Sequence, residues 1–167
     1  MAVVAGFLFF LAALLAPRKG ILSRLRYQQQ LALRVMGEDI LGMLFRLEEA
    51  GSQGRHLSTN ESLEKALAVG PLQRWLAVAG LRSRGFIEAY ESGWRLTEAG
   101  RDKARRLVRS HRMWELYLHQ HLDLPVDHLH STAHRLEHTS DPDQRAALER
   151  ELGHPEQDPH GKPIPPE

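Results

Sequence analysis

The sequence predicts a mainly α-helical chain with one small β-hairpin near its middle and one membrane helix at its N-terminus. Three observations carry this. Residues 1–16 are an unbroken apolar run ended by Pro17. From about Glu38 to His121, apolar residues recur at helical spacing, interrupted by a strand–turn–strand pattern around Glu91-Ser92-Gly93. In the last third, histidines and carboxylates recur three and four residues apart, which puts them on shared helical faces.

Composition narrows the class. The 167 residues allow one domain or two small ones. A net charge of +1, 26% charged and 42% hydrophobic residues exclude a polyanion-binding tail and a fully disordered chain. No cysteine is present, which excludes a disulfide framework, a zinc ribbon and a thiol nucleophile. The charge is uneven: Arg18, Lys19, Arg24, Arg26 and Arg34 share residues 18–34 with no acid. Nine of the ten histidines lie beyond residue 110.

Taken in chain order, the apolar run MAVVAGFLFFLAALLA would span about 24 Å as a helix, against a hydrocarbon core of ~30 Å. A signal peptide would need a basic stretch ahead of the run, and none precedes it. A buried core helix would show a polar face, and this run has none. A membrane helix over residues 1–17 fits best, or the end of a longer span. The basic flank follows it, so the rest is expected to be a cytoplasmic domain tethered to the inner (plasma) membrane. The sequon Asn60-Glu61-Ser62 is irrelevant on that side. Residues 18–35 read as a basic amphipathic connector, helical and able to meet lipid headgroups.

Glu38 to Ala50 carries Ile40, Leu41, Leu44 and Leu47 as a helical stripe, ended by Gly51-Ser52-Gln53-Gly54. Ser58-Thr59-Asn60 can cap a second helix over Glu61 to Ala68. Pro71 opens a third, running to about Arg84 and closed by Gly85. Residues 86–90 and 94–97 read as strands, and Glu98 to His121 as a long helix. This order is that of a winged helix–turn–helix, whose third helix often enters the DNA major groove. Within that helix only Gln73, Arg74, Arg82, Ser83 and Arg84 can donate to bases or phosphates. It is either a DNA reader or a packing module.

His130, His134 and His138 share one helical face, with Glu137 beside them, while His111 and Glu115 are four apart on the preceding helix. Imidazoles and carboxylates converging in this way suit a first-row divalent metal. The bland reading is surface histidines in a histidine-rich chain. His134-Arg135-Leu136-Glu137-His138 also matches the H-x-x-E-H pattern of inverted zinc peptidases. Such an enzyme needs a third ligand well downstream, and only 29 residues follow His138. No catalytic residue is assigned.

Several blocks together resemble the diphtheria-toxin-repressor family of iron- and manganese-dependent regulators. They are Glu38-Asp39-Ile40 with Leu47-Glu48-Glu49-Ala50-Gly51, Arg95-Leu96-Thr97-Glu98-Ala99-Gly100, Arg109 to Glu115, His130 to His138, and the closing stretches Gly153-His154-Pro155 and Pro159 to Pro165. The resemblance covers about four-fifths of the chain. It implies a winged helix at 36–100, an all-α metal-binding and dimerisation domain at 101–152, and a Pro/His-rich tail at 153–167. By matching positions, Asp39, His134, Glu137 and His138 resemble the primary metal site, and His111, Glu115 and His130 an ancillary or binuclear one. The metal implied is manganese or iron. His134 stands where many members carry cysteine or glutamate, and nitrogen donors favour zinc, cobalt or iron over manganese. Gly42 stands where manganese-sensing members can have a further glutamate.

The expected function is therefore a metal-dependent, DNA-binding transcriptional regulator acting as a homodimer on an operator, and not an enzyme. The helices after Asp123, with Leu124, Val126, Leu129, Leu136 and Leu148, are expected to supply the dimer face. The apolar run with its basic exit is similar to the last span of metal-transporting ABC permeases. The alternative is thus a metal-sensing regulatory tail of such a transporter, without DNA binding.

Overall fold

The computed structural model describes residues 3–6, 10, 16, 20–50, 69–90, 93–122 and 126–166. Among the described residues seven elements follow one another: α1 (Ile21–Glu49), α2 (Pro71–Ser83), β1 (Ile87–Tyr90), β2 (Gly93–Leu96), α3 (Glu98–Leu122), α4 (Val126–Thr139) and α5 (Pro142–Leu152). The expected connector and first helix are one element. Between Ile21 and Glu49 there is no proline, and Gly37 and Gly42 are absorbed within the helix. Gly37 faces α2, where a Cβ would make an ordinary contact with Leu81 Cδ2 at 3.4 Å. The N-terminal half of α1 is exposed, while Met36, Ile40, Leu41 and Leu44 of its second half are buried. The expected second helix, 61–68, lies outside the described residues.

Pro71 occupies the first turn of α2, where a missing N–H costs nothing. The helix ends as a Schellman motif: Gly85 takes φ +71°, and Gly85 N and Phe86 N donate to Arg82 O and Leu81 O. The hairpin pairs Ile87 with Leu96 and Tyr90 with Gly93, one residue earlier on its second strand than the sequence suggested. Ile87 and Leu96 face inward, and Glu88 and Arg95 form an ion pair at 2.6 Å on the outer side. Thr97 Oγ1 then accepts from Gly100 N and opens α3. Only glycine fits at 100, because a Cβ would stand 1.8 Å from Phe86 O.

Helix α3 runs through every core. Its first half, at Ala104 and Leu107, joins Met36, Ile40, Leu41, Leu44, Val78, Leu81, Ile87 and Leu96. Its second half packs Met113 with Leu148 and Ile164, and Leu118 with Leu129 and Ala133. Leu129 and Leu148, expected on a dimer face, are therefore spent inside the chain. Leu136 is half-buried. Leu124 and the side chain of Val126 lie outside the described residues. Helix α5 opens with a capping box between Asp141 and Gln144 and ends at Gly153 with φ +67°. Beyond it, Asp158 accepts from His160 N and Lys162 N, and the segment folds back to bury Ile164.

The expected membrane helix finds no support here. No helix among the described residues is long and apolar enough to cross a bilayer. Most of the run 1–16 lies outside the described residues, and residues 3–6 are helical and exposed. Helix α1 is long enough, but arginines, glutamines and acids are spread along it, and a bilayer core would strip each of water.

Candidate metal centre

Four residues from two distant parts of the chain meet between α1 and α4. Asp39, His134, Glu137 and His138 each bring one donor atom to a cluster whose atoms all lie within 4.8 Å of one another. His138 Nε2 is 3.1 Å from Asp39 Oδ1 and 3.3 Å from Glu137 Oε1. His134 Nδ1 is 3.1 Å from the same Glu137 oxygen, and its Nε2 is 3.6 Å from Asp39. The four-residue spacing on α4 aligns His134 with His138, and the core contacts of Leu129 and Ala133 turn that face toward α1.

A second cluster, His111, Glu115 and His130, lies between α3 and α4. Its donor atoms form a triangle: His111 Nε2 to Glu115 Oε1 is 3.0 Å, His111 Nε2 to His130 Nδ1 is 3.0 Å, and His130 Nδ1 to Glu115 Oε1 is 3.1 Å. Ring protons cannot satisfy all three edges at once, because the two nitrogens would have to act both as donors toward the carboxylate and as a donor–acceptor pair. A separation of about 3 Å is that of adjacent ligands around an ion ~2.1 Å from each. The clusters adjoin, with His111 Nδ1 2.8 Å from Glu137 Oε2. Three mutually close donors whose ring protons cannot satisfy every edge, beside a further carboxylate, fit a divalent transition metal.

The electrostatics agree. Burial alone would lower the His138 pKa, but hydrogen bonds to Asp39 and Glu38 and the nearby charge of Glu137 raise it to about 9. Burial likewise opposes ionisation of Glu115, yet the hydrogen bond from His111 outweighs it and holds Glu115 at about 2. His111 is raised against its burial by Glu115 and Glu137. Glu115 is thus charged, and His138 carries a proton that a cation would displace. A cavity of about 310 Å³ opens beside both clusters, lined by Asp39, Gly42, Arg46, His130, His134 and Glu137. Gly42 contributes no ligand, and Arg46 Nη1 lies 3.9 Å from where its Cβ would be. The peptidase alternative fails on geometry. One Glu137 oxygen faces His134 and His138, the other faces His111, and the side chain is buried, so it is no free base for a water.

The expected DNA-contacting residues are less concentrated. Gln73, Arg82, Ser83 and Arg84 are exposed, and Arg74 is half-buried. Arg82 stacks 5.3 Å from the Trp94 ring centroid, and Ser83 Oγ donates to Gly80 O. Between them the outer face of α2 shows Leu72, Trp75 and Leu76, 67%, 64% and 40% exposed.

Sequence reasoning missed several residues that hold the site together. Glu38 and Arg34 both touch His138. Arg112, buried, makes a two-pronged ion pair with Glu49 at 3.0 and 2.6 Å and donates to Pro163 O. Glu38 had a signal, being the first acid after a basic stretch and adjacent to Asp39.

Several known proteins are similar to this chain. The iron dependent repressor, metal binding and dimerisation domain matches residues 97–166. "Iron-dependent repressor IdeR" of Mycobacterium tuberculosis is 31% identical over 129 residues, covering 77% of this chain and 54% of that protein. "Probable metal transport system membrane protein" of Chlamydia pneumoniae is 29% identical over 166 residues, 98% of this chain and 37% of that protein. A solved structure, a manganese-dependent transcriptional repressor in complex with manganese, superposes with a TM-score of 0.66 at 28% identity, covering 76% of this chain and 58% of that one. The chain thus spans about half the mycobacterial repressor and well under half of the chlamydial protein. Residues 97–166, less than half of the chain, are thus similar to the metal binding and dimerisation domain of the iron dependent repressors.

Proposed function

We propose that this chain is a metal-sensing winged-helix regulator in which Asp39, His134, Glu137 and His138 hold one divalent ion and His111, Glu115 and His130 a second. The observation that carries the reading is the junction of Asp39 on α1 with the three donors on α4, 99 positions away at the His138 contact. An ion there ties the winged helix to the metal-binding helices. In a dimer such a tie fixes the spacing of two reading helices, and a mis-spaced pair cannot engage both half-sites of an operator. The repressor relatives support this role, with manganese or ferrous iron as the family metal and zinc or cobalt suited to the nitrogen-rich donors. The second copy docks on the groove among Trp114, Tyr117, Leu136 and Ala147. Calorimetry of the full chain with manganese, ferrous iron, cobalt and zinc tests the ligand set. Unchanged binding of all four ions in His138→Ala and Glu137→Ala ends it. Sedimentation with metal tests the dimer.

A second reading has its own observations. The chlamydial membrane protein matches the chain nearly end to end, and α2 shows an apolar outer face where a DNA reader needs polar side chains. In this reading residues 1–17 anchor the chain to the membrane, and the domain senses cytosolic metal for transporter subunits without binding DNA. Retention of random genomic fragments by the full chain, with and without metal, separates the two. Metal-dependent enrichment supports the regulator of transcription; no enrichment supports the transporter tail.

A further inference from the structure

We propose that Glu38 is a positioning residue of the metal centre: it holds the His138 ring so that Nε2, and not Nδ1, is offered to the ion. This rests on the metal-sensing reading above. The His138 ring is gripped at both nitrogens by consecutive carboxylates of α1. Nδ1 lies 2.8 Å from Glu38 Oε2, while Nε2 lies 3.1 Å from Asp39 Oδ1 and 3.3 Å from Glu137 Oε1. The converging donors are all on the Nε2 side. Glu38 is not among them, because its two oxygens face elsewhere: Oε2 toward Nδ1 and Oε1 toward Lys103 Nζ at 3.7 Å. The Glu38 side chain is only 11% exposed, so this placement is held by packing.

The chemistry follows from the ring. A metal-bound imidazole carries one N–H, and a carboxylate accepting at Nδ1 places the proton there and leaves the Nε2 lone pair for the ion. The same contact adds negative charge behind the ligand, which makes Nε2 more basic. Lys103 on α3 faces the other carboxylate oxygen and keeps the group oriented. Arg34, one turn before Glu38, donates to the His138 carbonyl at 3.1 Å, so a single face of α1 holds this residue at its backbone and at its ring. The winged helix is thereby joined to α4 on the Nδ1 side before an ion closes the Asp39 side.

The test uses the full chain with Co²⁺ and Zn²⁺. Glu38→Ala should weaken Co²⁺ affinity by about 10- to 100-fold, the usual cost of losing such a supporting contact. The Co²⁺ d–d spectrum at saturation should keep its coordination class. In the Zn²⁺ form, nitrogen NMR should show His138 bound through Nε2 with a protected Nδ1–H in the wild type, and loss of that protection in Glu38→Ala. Glu38→Gln, which keeps an acceptor oxygen but no charge, should retain the Nδ1–H and lose about tenfold in affinity. Co²⁺ affinity within twofold of wild type with the Nδ1–H intact in Glu38→Ala overturns the proposal. So does a changed coordination class at saturation, which would make Glu38 a ligand. If Glu38→Ala does not fold, Glu38→Gln decides: affinity within twofold of wild type overturns the proposal. A wild-type chain that binds neither ion overturns the metal reading itself, a different result from a wild type that binds and a variant that binds equally.

Discussion

Among the described residues, the cavity between α1, α3 and α4 and the outer face of α2 both resemble functional sites, and they are built differently. Beside the cavity, seven donor side chains converge from three helices, and those of His111, Glu115 and His138 have pKa values shifted by their neighbours. On α2 the helix is in the place where winged helices read DNA, but Leu72, Trp75 and Leu76 hold the middle of its exposed face. One surface is specified by its side chains. The other is specified by its position in the fold, which is weaker ground for a function.

The largest expected effect tests the first half of that contrast. Glu137→Ala removes an anion that faces three histidines, and metal affinity should fall by about 1,000-fold, on the order of 4 kcal/mol. Calorimetry with Co²⁺ reads it, and a loss under tenfold would mean the cavity is no better specified than α2. Next in size, Arg112→Ala leaves Glu49 and Asp158 without their buried partner and should cost about 3 kcal/mol of stability in chemical unfolding. That variant asks whether α1 stays docked on α3 without an ion.

A pH series gives the third effect. His138 is raised to about 9 in the folded, metal-free protein, so a proton must leave before Nε2 can bind an ion. Metal affinity should rise by up to about tenfold per pH unit from pH 7 to 9, with proton release seen as buffer-dependent heat. Stability of the metal-free protein runs the other way. A raised histidine contributes stability that is full below its unfolded value of 6.5 and is lost as pH rises through about 9. Glu115, lowered to about 2, contributes stability present above 4.5 and lost as pH falls toward about 2. Thermal melts across that range should peak between the two losses. The smallest effect falls on α2. If the chain binds DNA, Arg84→Ala should lower the salt slope of binding by about one, the share of a single phosphate contact. Trp75→Ala, by contrast, should leave DNA binding unchanged and instead weaken any protein contact made by that face.

Much of the site was legible because helical spacing is local. His130, His134 and His138 announce a shared face, as do His111 and Glu115, and the structure brings all five into two clusters with Glu137. Asp39 was legible only by resemblance, since nothing local ties it to a helix nearly a hundred residues away. Glu38 was legible only as an acid adjacent to Asp39, and the pair Arg112–Glu49 was not legible: these contacts join residues 100 and 63 positions apart. The start of α1 differs from expectation for a related reason. A basic, glutamine-rich stretch reads as a helical connector separate from the first helix, but with no proline or turn pair between them the two run on as one helix from Ile21.

The sequence by itself determined the elements and their chemistry: a proline-opened α2, a hairpin, a long α3, and a helix with histidines every fourth residue. Those properties depend on neighbours a few positions apart, where backbone geometry is fixed. The tertiary structure alone decided which atoms meet. Packing of α4 against α3 and α1 set Glu137 between two groups of imidazoles, turned His138 Nδ1 toward Glu38, and buried Leu129 and Leu148 within the chain. Contacts of that range depend on how whole helices dock, and docking is chosen by the summed burial of many apolar side chains rather than by any one spacing.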